Sequence, residues 1–374
     1  MPKIDTQAPP RRFHELDSLR GVAALIVVFG HCYTLYLPHV PSTRLIYPLI
    51  AGTESVSLFF VLSGLVLSLP FLKKKDQPYG VFAARRILRI YGPYFVALVM
   101  AVGGAALLHQ RRYLGPWATH TWSEPVNWWL VLQHVLFLGN YDNAQFNAAF
   151  WSLVQEMRLS LVFPAVFLVG QRLGTWKTLA LAFVLTVGGH VLEARFPHQD
   201  QTMITVWTAG LFLAGITIAR ELGRIGRWRW TQGQWLMLGA SSLVAYWGAH
   251  VFKPMRHGLW CMDGLLTGTG AVGIILVAMH QERVRAVLVS APLAWLGRIS
   301  YSLYLVHATV LFGLAEVLKG TIPAAAFFAL YVAVALGTAW VFFRLVEKPF
   351  IELSHKPGRR KAQGVTLVAV TENV

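Results

Sequence analysis

The chain has 374 residues, 55% of them hydrophobic and only 13% charged, with a mean hydropathy of +0.51. A soluble domain carries about 25% charged residues, so one water-soluble core is excluded as the place where this apolar surface is buried. The formal charge of +16 arises from 33 basic and 17 acidic residues, but the basic residues cluster in short loops between apolar stretches, which excludes nucleic acid and fits retention of Lys and Arg on the cytoplasmic side of a membrane.

The first 13 residues are mostly polar, and no small-residue cleavage site follows the first apolar stretch, so the N-terminus does not read as a cleaved signal. A helix needs about 20 apolar residues to cross a bilayer. Ten stretches approach that length: 18–37, 50–72, 84–108, 150–170, 176–194, 203–220, 235–252, 259–280, 294–318 and 323–347. The predicted fold is all-α, a polytopic membrane helical bundle of about ten transmembrane helices over residues 1–354, with 355–374 as a basic, then polar, disordered tail. The segment 127–138 is apolar but too short to span, so it reads as interfacial or re-entrant, and its Trp128 and Trp129 suit a membrane interface. It lies within a long loop, 109–149, that carries few charges. With a cytoplasmic N-terminus, the 33 basic residues divide 25 inside to 8 outside, which places both termini inside. No internal repeat and no second soluble domain is read. Cys32 and Cys261 both sit in apolar stretches and support neither a disulfide framework nor a zinc site; no metal is expected.

Ionisable groups inside membrane helices are costly and mark function by default. Arg20 and His31 have ten residues between them. Eleven steps of about 100° end roughly 20° past three turns, so the two side chains share a helix face about 16 Å apart along the axis. A cation at the mouth and a titratable base deeper in suit a long phosphorylated donor lying along that face. The same spacing also fits a snorkelling arginine and a histidine that packs helices.

Six blocks in order then resemble one family. They are Glu15 to Cys32, which holds Arg20 and His31; Phe59 to Leu65; Arg85 to Phe95; Trp151 to Met157 followed by Pro164; Leu296 to His307; and Glu347 to Ile351. The chain resembles the acyltransferase-3 family of membrane acyltransferases, with departures at Ser57 and Met157, where acidic residues are common. The resemblance implies transfer of an acyl group, acetyl above all, from cytoplasmic acyl-CoA to a hydroxyl of a carbohydrate, lipid-linked glycan or small acceptor. It implies residence in the plasma (inner) membrane among membrane lipid and no permanently bound cofactor. The family's Arg/His pair carries over onto Arg20 and His31, and its arginine pair onto Arg86 and Arg89.

His31 is the candidate general base, or a nucleophile acylated in passing. Its neighbour Cys32 points about 100° away and reads as a small packing residue. Arg86 and Arg89, three apart, share a face and can fork onto donor phosphates; Arg20 joins them as a donor ligand. Lys73, Lys74 and Lys75 read as membrane anchors, and Arg85 fits either role. Glu156 is the second candidate catalytic residue: it can pair with Arg158, order the acceptor or orient His31. Asp17 can buttress Arg20, and Ser63-Gly64 permits close helix approach. Tyr304 and His307 are candidates to line the cavity and bind substrate, and Glu54 and Trp151 to touch the acceptor. The rival reading is a transporter or flippase of a glycan or small polar substrate, weakened by the absence of an inverted repeat.

Overall fold

The computed structural model describes residues 13–36, 46–73, 78–108, 121–137, 141–196, 200–251 and 262–355. Cys261, Lys74, Lys75 and the tail from residue 356 on lie outside the described residues. Among the described residues the regular structure is helical throughout. The helices are α1 His14–Tyr36, α2 Tyr47–Ile50, α3 Gly52–Leu72, α4 Tyr79–Arg86, α5 Gly92–Leu108, α6 Trp128–Leu136 and α7 Phe150–Arg195. They continue with α8 Asp200–Ile225, α9 Gln232–Val251, α10 Asp263–His280, α11 Glu282–Leu288, α12 Ala291–Leu318, α13 Ala324–Phe342 and α14 Lys348–Ser354. Two π-helical turns join neighbouring helices, Ile87–Tyr91 between α4 and α5 and Phe343–Glu347 between α13 and α14.

Eight helices among the described residues are long and apolar enough to cross a membrane. An all-helical answer follows from the solvent: lipid offers no hydrogen bonds, so each span must satisfy its backbone internally. The difference from ten has two sources. α7 runs 46 residues but breaks at Gly174, whose φ of 77° is a backbone state that favours glycine. Its two arms take the stretches expected at 150–170 and 176–194. The stretch expected at 235–252 forms the 20-residue α9, which is not one of the eight. The break in α7 is sealed locally. Thr178 Oγ1 donates to the carbonyls of Gly174 (2.6 Å) and Gly170 (3.0 Å), and Arg220 Nη1 donates to Gly170 O at 3.0 Å, covering carbonyls that a helix end leaves without partners.

The short apolar segment predicted at 127–138 forms α6, nine residues long. Asn127 Oδ1 caps it by accepting from the N–H groups of Trp129 (2.9 Å) and Leu130 (3.4 Å). Trp128 and Trp129 are exposed.

Close glycine contacts tie α3 to α8 and α1 to α12. Gly64 of α3 and Gly215 of α8 interlock: a Cβ at Gly64 would sit 2.2 Å from Phe212 O, and one at Gly215 2.1 Å from Val61 O. Gly21 of α1 and Gly297 of α12 do the same. A Cβ at Gly21 would lie 2.6 Å from Gly297 N, and one at Gly297 2.6 Å from the Asp17 backbone. Gly297 meets α1 near Asp17, and Lys319, just past α12, donates to Leu35 O near the far end of α1 (3.1 Å), so α1 and α12 run parallel. His31 is ten residues beyond Gly21, and His307 ten beyond Gly297. Equal steps of 1.5 Å per residue along parallel helices carry both histidines to one level, about 15 Å from the glycine contact.

Candidate active site

A cavity of about 1220 Å³ opens among α1, α3, α4, α7, α12 and the two π turns. This exceeds the roughly 300–1,000 Å³ of ordinary small-ligand pockets. Its wall carries the cations Arg20, Arg85, Arg86, Arg89, Arg298, Arg344 and Lys348 against the carboxylates Asp17, Glu156, Glu347 and Glu352. Seven cations over four anions inside low-dielectric walls focus a positive potential on the space between them.

The π turns place charged groups into this wall. Such turns insert one extra residue into a helix, re-aim the chain locally and occur often at functional sites. Arg89 lies in the first, and Arg344 and Glu347 in the second. α12 ties to both. Tyr301 donates its hydroxyl to Ile90 O at 2.7 Å, and Ser302 donates its N–H (3.1 Å) and its hydroxyl (2.5 Å) to Glu347 Oε2. Glu347 in turn interacts electrostatically with Arg89.

Glu156 organises the arginines. Arg86 pairs with it at 3.8 Å and donates to Ser160 Oγ at 2.9 Å, while Ser63 Oγ donates to Glu156 at 3.2 Å. Arg20 interacts electrostatically with Glu156, Arg89 and Asp17. Arg158 is two residues and about 200° further round the helix, and it donates instead to Gln201 O (3.2 Å), Thr205 Oγ1 (3.4 Å) and Phe137 O (3.3 Å). The Nε groups of Arg85 and Arg86 are buried with no hydrogen-bond partner among the described residues. Buried donors of that kind call for an explanation, and an anion in the cavity supplies one.

At its inner end the cavity reaches Ser152 and Tyr304, whose hydroxyls lie 2.7 Å apart, with Phe59 edge-on to the Tyr304 ring at 5.5 Å. The histidines come next. The Tyr304 and His307 rings are 5.7 Å apart, and His307 stacks on His31 at 5.1 Å with Nε2 of one 3.0 Å from Nδ1 of the other. Neither histidine belongs to the cavity wall.

The expected residues therefore divide. Arg20, Arg86, Arg89, Glu156 and Tyr304 meet in the cavity wall, and Asp17 and Arg85 join them. Tyr304 and His307 were both expected to line it, but His307 does not. Three residues turn a helix about 300°; that offset leaves Tyr304 in the wall and turns His307, fully buried, onto His31. Trp151 packs half-buried against the apolar core, and its neighbour Ser152 takes the wall position. Glu54, in the first turn of α3, stands outside the cavity wall and accepts a hydrogen bond from Tyr47. Burial raises the Tyr47 phenol above its ordinary pKa, and the Glu54 carboxylate adds to the rise, so the phenol stays the donor. Glu347 and Ser152 carried no expected role; a carboxylate inside an apolar run was the available signal for Glu347.

A family model described as an acyltransferase domain matches residues 13–344. The chain belongs to the acyltransferase-3 family. It is an acyltransferase built on membrane-spanning helices. The peptidoglycan O-acetyltransferase OatA of Listeria monocytogenes is 24% identical over 89% of this chain and 55% of its own length, so the chain spans about half of that relative. The acyltransferase MdmB of Streptomyces mycarofaciens is 27% identical over 94% of this chain and 95% of its own length. The O-acetyltransferase PaAT-1 of Phomopsis amygdali is 23% identical over 79% and 71%. No solved structure matches the chain.

Proposed function

We propose that this acyltransferase moves an acyl group, acetyl above all, from acyl-CoA to a hydroxyl of a carbohydrate or related acceptor, with His31 as general base. The observation that carries the reading is an arginine-walled cavity whose Tyr304 abuts the buried His307–His31 pair. The names of the relatives point the same way: two are O-acetyltransferases and one acts on peptidoglycan. The arginine mouth is the cytoplasmic end, in keeping with the distribution of basic residues, and the host is the plasma (inner) membrane.

Arg20, Arg86 and Arg89 hold the donor's phosphates, with Glu156 and Asp17 keeping the guanidinium groups in place. The thioester arm runs along α1 toward His31, about 16 Å from Arg20 by helix rise. The acceptor hydroxyl gives its proton to the imidazole as its oxygen attacks the thioester carbonyl. The carbonyl's C–S bond then breaks, and the imidazolium returns the proton to the departing thiolate. With Ser152 donating its hydroxyl to Tyr304, the Tyr304 O–H is left to donate to the carbonyl oxygen as it gains charge.

The direct test is coenzyme A release by the purified protein supplied with acetyl-CoA and a panel of hydroxyl acceptors. Acceptor-dependent release is expected. Movement of a glycan across proteoliposomes without any donor turnover would replace this reading with transport. Arg86→Ala and Arg89→Ala are each expected to raise the donor KM by about tenfold or more, since a hydrogen bond to a charged group is worth roughly 1.5–3 kcal/mol, with a smaller effect on kcat. Donor titration of initial rates checks this. An unchanged KM in both variants would remove the arginines from the donor site.

A further inference from the structure

His307 is buried completely and stands outside the cavity, so substrate contact does not account for it. Its Nδ1 lies 3.0 Å from Leu303 O and 2.9 Å from Tyr304 O. A carbonyl oxygen only accepts, so Nδ1 carries the hydrogen. In the neutral ring the lone pair is then on Nε2, and Nε2 faces His31 Nδ1 at 3.0 Å. For that contact to be a hydrogen bond between neutral rings, His31 must carry its hydrogen on Nδ1. Its basic lone pair is left on Nε2, at the outer edge of the imidazole.

We infer that His307 is a positioning residue that fixes His31 in the Nδ1–H tautomer, leaving Nε2 as the atom that takes the acceptor's proton. This deepens the proposed function and rests on His31 as its base. When His31 gains the second proton, its Nδ1–H shares the charge with His307 Nε2. The carbonyls of Leu303 and Tyr304 hold the far side of His307 by accepting its Nδ1–H. Two main-chain oxygens thus do for the second imidazole what a carboxylate does in other catalytic pairs, orienting a ring and favouring its charged state. An imidazole left without this partner favours the other tautomer, which would put a hydrogen where the lone pair is needed.

The experiment compares His307→Leu with His307→Gln, whose side-chain carbonyl can reach the place of Nε2 and accept from His31. His307→Leu is expected to lower kcat by roughly 10²-fold with donor KM within about twofold of the parent. His307→Gln should recover most of that loss. Adding His307→Leu to His31→Ala should lower the residual rate no further, because coupled residues are not additive. Nitrogen NMR of selectively labelled histidine should find the His31 hydrogen on Nδ1 in the parent and on Nε2 in His307→Leu. The inference is overturned if His307→Leu keeps its kcat, or if Leu and Gln are equally impaired while the His31 hydrogen stays on Nδ1, which would mark packing alone. Full activity in His31→Ala would instead sink the base assignment itself, and the NMR result on the parent would still report the tautomer.

Discussion

His31→Gln is expected to lower turnover by about 10²–10⁴-fold, the range that a positioned general base contributes, while donor binding is retained. Glutamine is polar, near in size, and able to keep a hydrogen bond toward His307, but it does not accept a proton near neutral pH. Arg20, the cavity arginine on the same helix, sits about 16 Å away by helix rise, so donor affinity measured by calorimetry in detergent should stay within a few-fold of the parent. The two measurements separate chemistry from binding. Turnover near that of the parent would eliminate the base role. Loss of donor affinity equal to the loss of turnover would shift His31 from chemistry to donor binding.

The second large effect is expected from Gly297→Val, a change that touches no ionisable group. A Cβ there would lie 2.6 Å from the backbone of Asp17, and backbone does not rotate aside as a side chain does. α1 and α12 must separate at that level, at a cost of about 1–3 kcal/mol for overpacking. Because His31 and His307 sit the same ten residues beyond their glycines, a tilt that opens the helices there also breaks the 3.0 Å contact between the rings. Activity should fall by about 10²-fold or more, together with a lower unfolding temperature by fluorescence in detergent. Gly313→Ala on the same helix is the control, since its nearest neighbour would be Leu108 Cδ1 at 4.0 Å; it should keep both activity and stability. Equal behaviour of the two variants would show that the glycine contact does not set the histidine pair.

Much of this molecule is legible in one dimension because the bilayer imposes one-dimensional rules. Span length and apolar composition follow from lipid thickness and the cost of bare backbone. The short segment with Trp128 and Trp129 declared itself in the same way and forms α6. Spacing within one helix was legible too: Arg20 and His31 fall on one continuous helix because 3.6 residues per turn leaves little choice. The break at Gly174 was not legible, since a glycine inside an apolar run reads as a weak helix residue until its neighbours select a left-handed φ. Nor was the membership of the two π turns, where one inserted residue changes which charge faces the cavity.

By itself the sequence determined an all-α membrane bundle, a cluster of arginines near one end of it, and a histidine about three turns beyond Arg20 on the first helix. These depend on composition and on distances within single helices. Only the tertiary structure decided who meets whom: Glu156 with Arg86 while Arg158 turns toward α8, Glu347 beside Arg89, and His307 against His31 while Tyr304 lines the cavity. Each of these pairs except the first joins residues more than 200 positions apart, and all of them depend on rotation about helix axes. Rotation is set by where glycine backbones let two helices touch, a property of pairs of helices that no single stretch of sequence contains.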